Sequence, residues 1–432
     1  MSGDELATQV KSWIVGNWDT SITVREWWLR LMKAGYAYPT WPDGLGGIRT
    51  SNQDARIIAS TLAEHGVIGP PKGGVAATLA APTILEHGTA EQVAEFIPPI
   101  ATGEAAWCQL FSEPGSGSDL ASVRTWAERN DDHWVVNGQK VWNSGADLAD
   151  FGMLLARTDR TAPNQAGITY FAVDMHQRGV DVRPLRCMDG TSKFCEVFLS
   201  NVTIPHHHVI GDVNGGWLVA KTTLFHERNM TAGGGVAGLV FARSGSHGDL
   251  DLEVGVVLDR DRQAAERTSA IRTGAVPSKV MIDMVRSFGL SEDPVIRQQV
   301  VRYISQIRIN GWTMRRISAA GGNLTGADGS VAKLATSRIC QVSRELSYRI
   351  VGPRGMLMGL AAPFNGDLQT VNLASPGTRI GGGTDEIQLN ILGERALGLP
   401  RESDGDASPA YRSPKVETQR VSPLPSHREV PS

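Results

Sequence analysis

"FSEPGSGSDLASVRTWAER" occupies residues 111–129, and "VVNGQKVWNSGADLADFGMLLARTD" follows at 135–159. The first stretch crowds Pro114, Gly115, Ser116, Gly117 and Ser118 into one run. Such a run lets main chain and short hydroxyls approach another molecule closely, but taken alone it reads as a turn between two elements. The second stretch carries two short β-type runs around Asn137-Gly138, the dipeptide most favoured in a two-residue hairpin turn. What decides the fold is the change of texture on either side of these residues.

Upstream, residues 4–105 read mostly as helices. "VREWWLRLMKAGY" sets Val24, Trp27, Trp28, Leu31 and Met32 on one stripe at helical spacing. "NQDARIIASTLAEHG" and "TAEQVAEFIPPIATG" read as further helices, each closed by Gly or Pro. Downstream of Trp107, "GITYFAVD", "GVDVRPLR" and "CEVFLSNVTIP" are strand-like. Helical texture returns at "NGGWLVAKTTLFHERNM". Asp293-Pro294 marks a helix start, with Asp as N-cap and Pro at the first helical position. "SVAKLATSRICQVSRELSYRIVG" is another long amphipathic helix.

The expected fold is therefore mainly α with a central β domain. A helical domain spans 1–105, a β domain 106–212 and a second helical domain 213–400. Residues 242–278 are polar and weakly periodic, and are expected to form an insertion or long surface loop. Residues 401–432 are rich in Ser, Pro and charge and cannot bury enough apolar surface to offset their ordering entropy, so a disordered tail is expected.

Composition narrows the function classes. At 432 residues the chain exceeds what one core supports. A net charge of -3 implies no attraction to nucleic acid or an anionic membrane. Cys108, Cys187, Cys195 and Cys340 lack CxxC spacing, which argues against a zinc site or a disulfide framework. No apolar run is long enough for a membrane span, and the first residues carry no secretory pattern, so a cytoplasmic location is expected. His206, His207 and His208 are adjacent, and three adjacent side chains in a strand or loop do not converge on one ion; a solvated loop and no metal are expected.

Together with "GGWLVAKTTLFHER" (215–228) and "GGTDEIQLNILGERALG" (382–398), the two opening stretches resemble, in order, the motifs of the acyl-CoA dehydrogenase family. The resemblance covers nearly all of residues 4–400. It implies an N-terminal helical domain, a middle β-barrel-like domain and a C-terminal four-helix bundle. It implies FAD between the last two, completed by a neighbouring subunit, in a dimer or tetramer, with an electron-transfer flavoprotein as electron acceptor. Carried over by motif, Gln109, Phe111, Ser112, Gly117 and Ser118 would meet the flavin, and Ser118 would also touch the acyl-CoA. Trp142 and Ser144 would line the flavin ring on the side away from the substrate. Thr384 and Glu386 would meet the adenosine of a neighbouring subunit's FAD. The pyrophosphate contacts depart from the usual pattern. Arg349 stands where a Gln is usual, Arg286 sits at an altered spacing, and Arg297 or Gln298 is an alternative.

The implied reaction is α,β-dehydrogenation of an acyl-CoA to a trans-2-enoyl-CoA. It requires a carboxylate beside the α-carbon, desolvated so that its pKa rises toward the working range. The resemblance commonly places that base just before the Gly-Thr of the last motif, where this chain has Gly382. In a minority of the family the base stands on another helix, immediately before an Arg, and Glu227-Arg228 matches that arrangement. Glu227 is the expected base, and Arg228 would hold the acyl-CoA or fix the helix. Gly233–Gly235, two turns on, imply either a wide acyl pocket or close helix packing. Two competing readings are a flavin oxidase or monooxygenase on the same fold, and a non-catalytic subunit completing a partner's flavin site.

Overall fold

The computed structural model describes residues 2–232, 239–267, 274–319 and 327–400. Five helices precede the first strand: α1 (Gly3–Asn17), α2 (Val24–Lys33), α3 (Asn52–Glu64), α4 (Ala81–His87) and α5 (Ala90–Ala101). Their starts are written in the sequence. Ser2, Thr23, Ser51 and Thr89 each cap a helix by accepting a backbone N–H three residues on. The stripe on α2 behaves as its spacing predicts, with Val24, Trp27, Trp28 and Leu31 fully buried. Both indoles also satisfy their N–H groups, Trp27 on the Ile68 carbonyl (2.7 Å) and Trp28 on that of Gly69 (2.9 Å).

Seven strands form one sheet: β1 (Trp107–Leu110), β2 (Trp126–Asn130), β3 (His133–Ser144), β4 (Phe151–Arg157), β5 (Ile168–Asp174), β6 (Val180–Leu185) and β7 (Phe194–Pro205). Their order is β1-β4-β2-β3-β7-β6, with β5 also paired to β4. β4 and β5 are buried along nearly their whole length, as continuous apolar runs require.

The expected hairpin at Asn137-Gly138 is not there. Both residues lie inside β3, and the chain instead reverses between β2 and β3 at Asp131, whose φ is 46°. Gly138 is required by crowding, because a Cβ there would meet Thr125 Oγ1 at 2.3 Å. A glycine that admits a neighbouring strand reads, in sequence, like one that makes a turn.

The C-terminal part contains α6 (Gly216–Ala232), α7 (Val254–Arg267), α8 (Ser278–Ser287), α9 (Pro294–Ala319), α10 (Ala327–Val351), α11 (Asp367–Ala374) and α12 (Asp385–Ile391). Asp293 caps α9 as expected, its Oδ1 accepting from the backbone of Val295 and Ile296. α10 is the hub and packs against α6, α8, α9 and α12.

Of the segment expected as an insertion or surface loop at 242–278, residues 242–258 are instead built into the N-terminal core. It contains α7, and Ala242, Leu250, Val254 and Val257 join Val24, Trp27 and Leu31 in one apolar cluster. Asp249 anchors it, buried and bonded to Arg243 (2.9 Å) and Arg260 (2.9 Å). Burial would raise the Asp249 pKa, but the Arg260 and Arg243 hydrogen bonds outweigh it and hold the carboxyl far below the ordinary range. A depressed carboxyl contributes stability that is present above the unfolded pKa of about 3.9 and is lost as pH falls. Asp249→Asn should therefore lower stability at neutral pH by about 1–3 kcal/mol. It should also flatten the acid limb of the thermal-unfolding profile, and an unchanged limb would reject this account.

Gly233–Gly235 and the tail at 401–432 lie outside the described residues. Among those described, no helix is long and apolar enough to cross a membrane.

Candidate active site

α6 is pinned at its first turn. Gly216 lies so close to β5 that a Cβ would meet the Tyr170 nitrogen at 2.5 Å. Two turns on, the buried Thr223 hydroxyl meets Thr83 Oγ1 (2.9 Å) and the Tyr170 hydroxyl (3.2 Å). The helix is thereby held between α4 and β5. Glu227, one turn further, lies on the same face as Thr223.

Glu227 is half-buried, and Gln109 Nε2 on β1 donates to its Oε2 at 3.5 Å. Burial pushes its carboxyl above the ordinary carboxylate range; the Gln109 bond and the adjacent Arg228 charge only partly oppose this. A second element arrives from the C-terminal end. Gly382 (φ 67°) and Gly383 (φ 85°) both take left-handed backbone. A Cβ placed on Gly382 would lie 3.9 Å from Glu227 Oε1. The position lacking a carboxylate and the position holding one thus face the same small volume.

This turn is held by side chains to which the motif gave no part in holding it. Gln388, buried on α12, donates from Nε2 to the Gly382 carbonyl (2.7 Å) and accepts from Ser330 Oγ (2.6 Å). Asp385 pairs with Lys333 (2.9 Å) and Arg379 (3.0 Å) and accepts from Ser337 (3.0 Å). Thr384 caps α12 by accepting from the Ile387 N–H at 3.2 Å. The only sequence signal for this lattice was polar residues at helical spacing on an otherwise apolar face of α10.

Arg228 faces α10, its Cβ 3.5 Å from where a side chain on Gly329 would begin. Its Nε is buried without a hydrogen-bond partner among the described residues. That is an unmet donor facing inward, as a residue meant for a polar ligand would have.

The flavin motif is similarly open. Phe111 is buried, Ser112 is half-buried, and Gly117, Ser118 and Ser144 are exposed. Trp142 is 61% exposed, although Trp is seldom left so open, and its φ of 65° is left-handed. Beside it, Asn143 donates to the Gln109 carbonyl (2.7 Å) while its own Oδ1 is buried and unpartnered among the described residues. An exposed indole, an orphaned acceptor and glycines with nothing near their missing Cβ fit a flat aromatic group laid along this edge.

Beneath the loop, Lys140 Nζ donates to the Phe111 carbonyl (3.0 Å) and to Glu113 Oε1 (2.8 Å). Glu113 also accepts from the backbone of Arg124 and Thr125. This buried pair was not singled out from the sequence, because a Glu and a Lys far apart in the chain read as surface charges.

The proposed pyrophosphate and adenosine contacts are not gathered within one chain. Arg349 is 20 residues beyond Gly329 on α10, about 30 Å at the helical rise. Arg286 and Arg297 are exposed and pair with Asp283 (3.4 Å) and Glu292 (3.7 Å). Glu386 is exposed at the first turn of α12.

Two helical domains flank a β domain, and a carboxyl raised by burial stands where the C-terminal helices meet the β domain. Sequence comparison is specific: residues 4–104, 108–202 and 280–397 match the N-terminal, middle and C-terminal domains of acyl-CoA dehydrogenase. The chain belongs to the acyl-CoA dehydrogenase family, whose members are flavin-dependent oxidoreductases.

It is 38% identical to acyl-CoA dehydrogenase FadE34 of Mycobacterium tuberculosis (strain ATCC 25618 / H37Rv) over 86% of this chain, but spans only 46% of that longer protein. It is 32% identical to acyl-CoA dehydrogenase IpdE1 of the same organism, covering 88% of this chain and 89% of that one. Among solved structures, the ChsE4-ChsE5 complex from M. tuberculosis is similar at 25% identity and a TM-score of 0.63, covering 93% of this chain and 98% of the matched one.

Proposed function

We propose that the chain dehydrogenates an acyl-CoA thioester between its α and β carbons, with Glu227 as the base. The observation that carries this reading is the 3.9 Å between Glu227 Oε1 and a Cβ on Gly382. Either position would aim a carboxylate at one α-carbon, so the chain needs only one. Glu227 takes the α-proton, and its raised pKa makes it a stronger base than a solvated carboxylate. Arg228 supplies an inward N–H donor for the acyl-CoA, and Ser118 a hydroxyl. Trp142, Ser144, Phe111, Ser112, Gly117 and Gln109 hold FAD, and bound FAD supplies the acceptor for the β-hydride. Thr384, Glu386, Arg349, Arg286 and Arg297 serve its adenosine and pyrophosphate end across a subunit boundary.

The chain works as an oligomer in this reading. Trp312 and Ile309 on α9 and Met356, Met358 and Leu360 beyond α10 are large apolar side chains between 56% and 89% exposed. A second copy or a related subunit would cover them, and the relative solved as a two-protein complex supports the latter. An electron-transfer flavoprotein would reoxidise the enzyme; fast reoxidation by air would instead support the oxidase reading.

The test is anaerobic titration of the yellow protein with a panel of acyl-CoAs, following flavin absorbance. Bleaching by a thioester supports dehydrogenation, and a colourless, inert preparation supports the non-catalytic subunit. A stricter check moves the base. Glu227→Gln combined with Gly382→Glu should recover activity at least about tenfold over Glu227→Gln alone. Recovery should be incomplete, because a side chain at φ 67° costs about 1–2 kcal/mol. No recovery in a folded, yellow double variant would mean the two positions do not share a target.

A further inference from the structure

The three histidines expected to form a solvated loop do not. His206–His208 make one 3-10 turn after β7, and His208 is buried. Gln92 of α5 clamps that turn, donating from Nε2 to the carbonyls of His207 (2.6 Å) and Val209 (2.7 Å). His206 turns away and accepts from the Trp134 indole at 3.1 Å. The other two turn toward Glu95 on α5. His208 Nε2 lies 3.1 Å from Glu95 Oε1, and His207 Nε2 lies 3.9 Å from Glu95 Oε2.

These atoms impose a charge problem. His208 Nδ1 is 3.2 Å from the Ala172 carbonyl, which can only accept, so Nδ1 carries a hydrogen. In the neutral ring Nε2 is then a bare lone pair pointing at a carboxylate. Two acceptors at 3.1 Å repel unless a cation lies between them. A proton on His208, with His207 neutral and donating from Nε2, is one answer, the two rings standing 4.5 Å apart. One divalent ion satisfies both neutral imidazoles and the carboxylate together.

We infer that Glu95, His207 and His208 form a binding site for a divalent transition-metal ion of the zinc type. Their donor atoms all lie within 4.8 Å of one another. For zinc bonds of about 2.0–2.1 Å, tetrahedral ligands stand about 3.4 Å apart, so adjustment of the exposed His207 and Glu95 side chains closes the site. The Nδ1–H to backbone carbonyl bond is the orienting contact that metal-bound imidazoles ordinarily make. Two imidazoles select against magnesium and calcium. A fourth position faces solvent and takes water. The ion would tie α5 of the N-terminal domain to the turn that follows β7.

The test uses the full chain, stripped of metal with a chelator and titrated calorimetrically with zinc chloride. One saturable site is expected. His207→Ala and Glu95→Gln, both at exposed side chains, should each weaken it at least about tenfold. His176→Ala, at an unrelated surface histidine, should leave it unchanged. Zinc should also raise the unfolding temperature of the parent and not of the two site variants. Absence of saturable binding, or binding equally tight in both site variants, overturns the proposal.

Discussion

Glu227→Gln should abolish anaerobic flavin reduction by acyl-CoA, slowing it about 10²–10⁴-fold, the usual worth of a positioned general base. Glutamine keeps the size and the hydrogen-bonding reach toward Gln109 but cannot take a proton. The fold should not suffer. Because burial raises the Glu227 pKa, the folded protein binds a proton more readily than the unfolded chain does. Between the two pKa values ionisation costs stability, which falls as pH rises through that window. Removing the ionisable group should leave the unfolding temperature at neutral pH unchanged or higher. That contrast, activity lost and stability kept, separates a catalytic base from a structural carboxylate. The parent should also lose flavin reduction on acidification at a pH above the ordinary glutamate value of about 4.3. A native reduction rate in Glu227→Gln would end the assignment, and an acid limb near 4.3 would contradict the raised pKa.

The parts of the molecule that were legible in sequence share a feature: they are set by residues near one another in the chain. The cap Asp293, the apolar stripe of α2 and the β texture after Trp107 are all local. The motif residues around 109–118 were legible by resemblance, and of these Gly117 and Ser118 are exposed. The failures are non-local. Gly138 needed knowledge that Thr125 lies against it. Residues 242–258 looked like a loop because their apolar residues are few, yet Ala242, Leu250, Val254 and Val257 are spent on a core whose other wall was made by α2. The histidine turn was misjudged because α5, which supplies Gln92 and Glu95, lies more than 100 residues upstream. At the active site, sequence offered Glu227 by resemblance to the arrangement that sets the base before an Arg, together with the missing carboxylate at Gly382. The 3.9 Å approach adds a spatial argument.

The same non-locality makes Lys140→Met the most damaging change expected outside the reaction itself. Lys140 is fully buried and Glu113 nearly so, with 2.8 Å between charges. Burial alone would raise the Glu113 pKa, but the Lys140 ammonium and two backbone N–H groups outweigh it and hold the carboxyl below its ordinary range. Removing the ammonium leaves a buried carboxylate without its counter-charge and the Phe111 carbonyl without a donor. Breaking a buried pair from one side costs about 3–5 kcal/mol. The unfolding temperature should fall by about 5 °C, and the loop at 113–118 should release flavin on dilution. Glu113→Gln with Lys140→Met should regain a large part of the loss, since neither charge is then stranded and the introduced amide can still accept one backbone N–H. The pH dependence carries the same signature. The Glu113 contribution is present above the unfolded carboxyl pKa and disappears as pH falls, so the parent should lose more stability on acidification than the double variant. If the single variant is as stable as the parent, the pair contributes nothing to the loop. If the double variant is no better than the single, then the lost Phe111 contact, and not the stranded charge, is what holds the flavin edge in place.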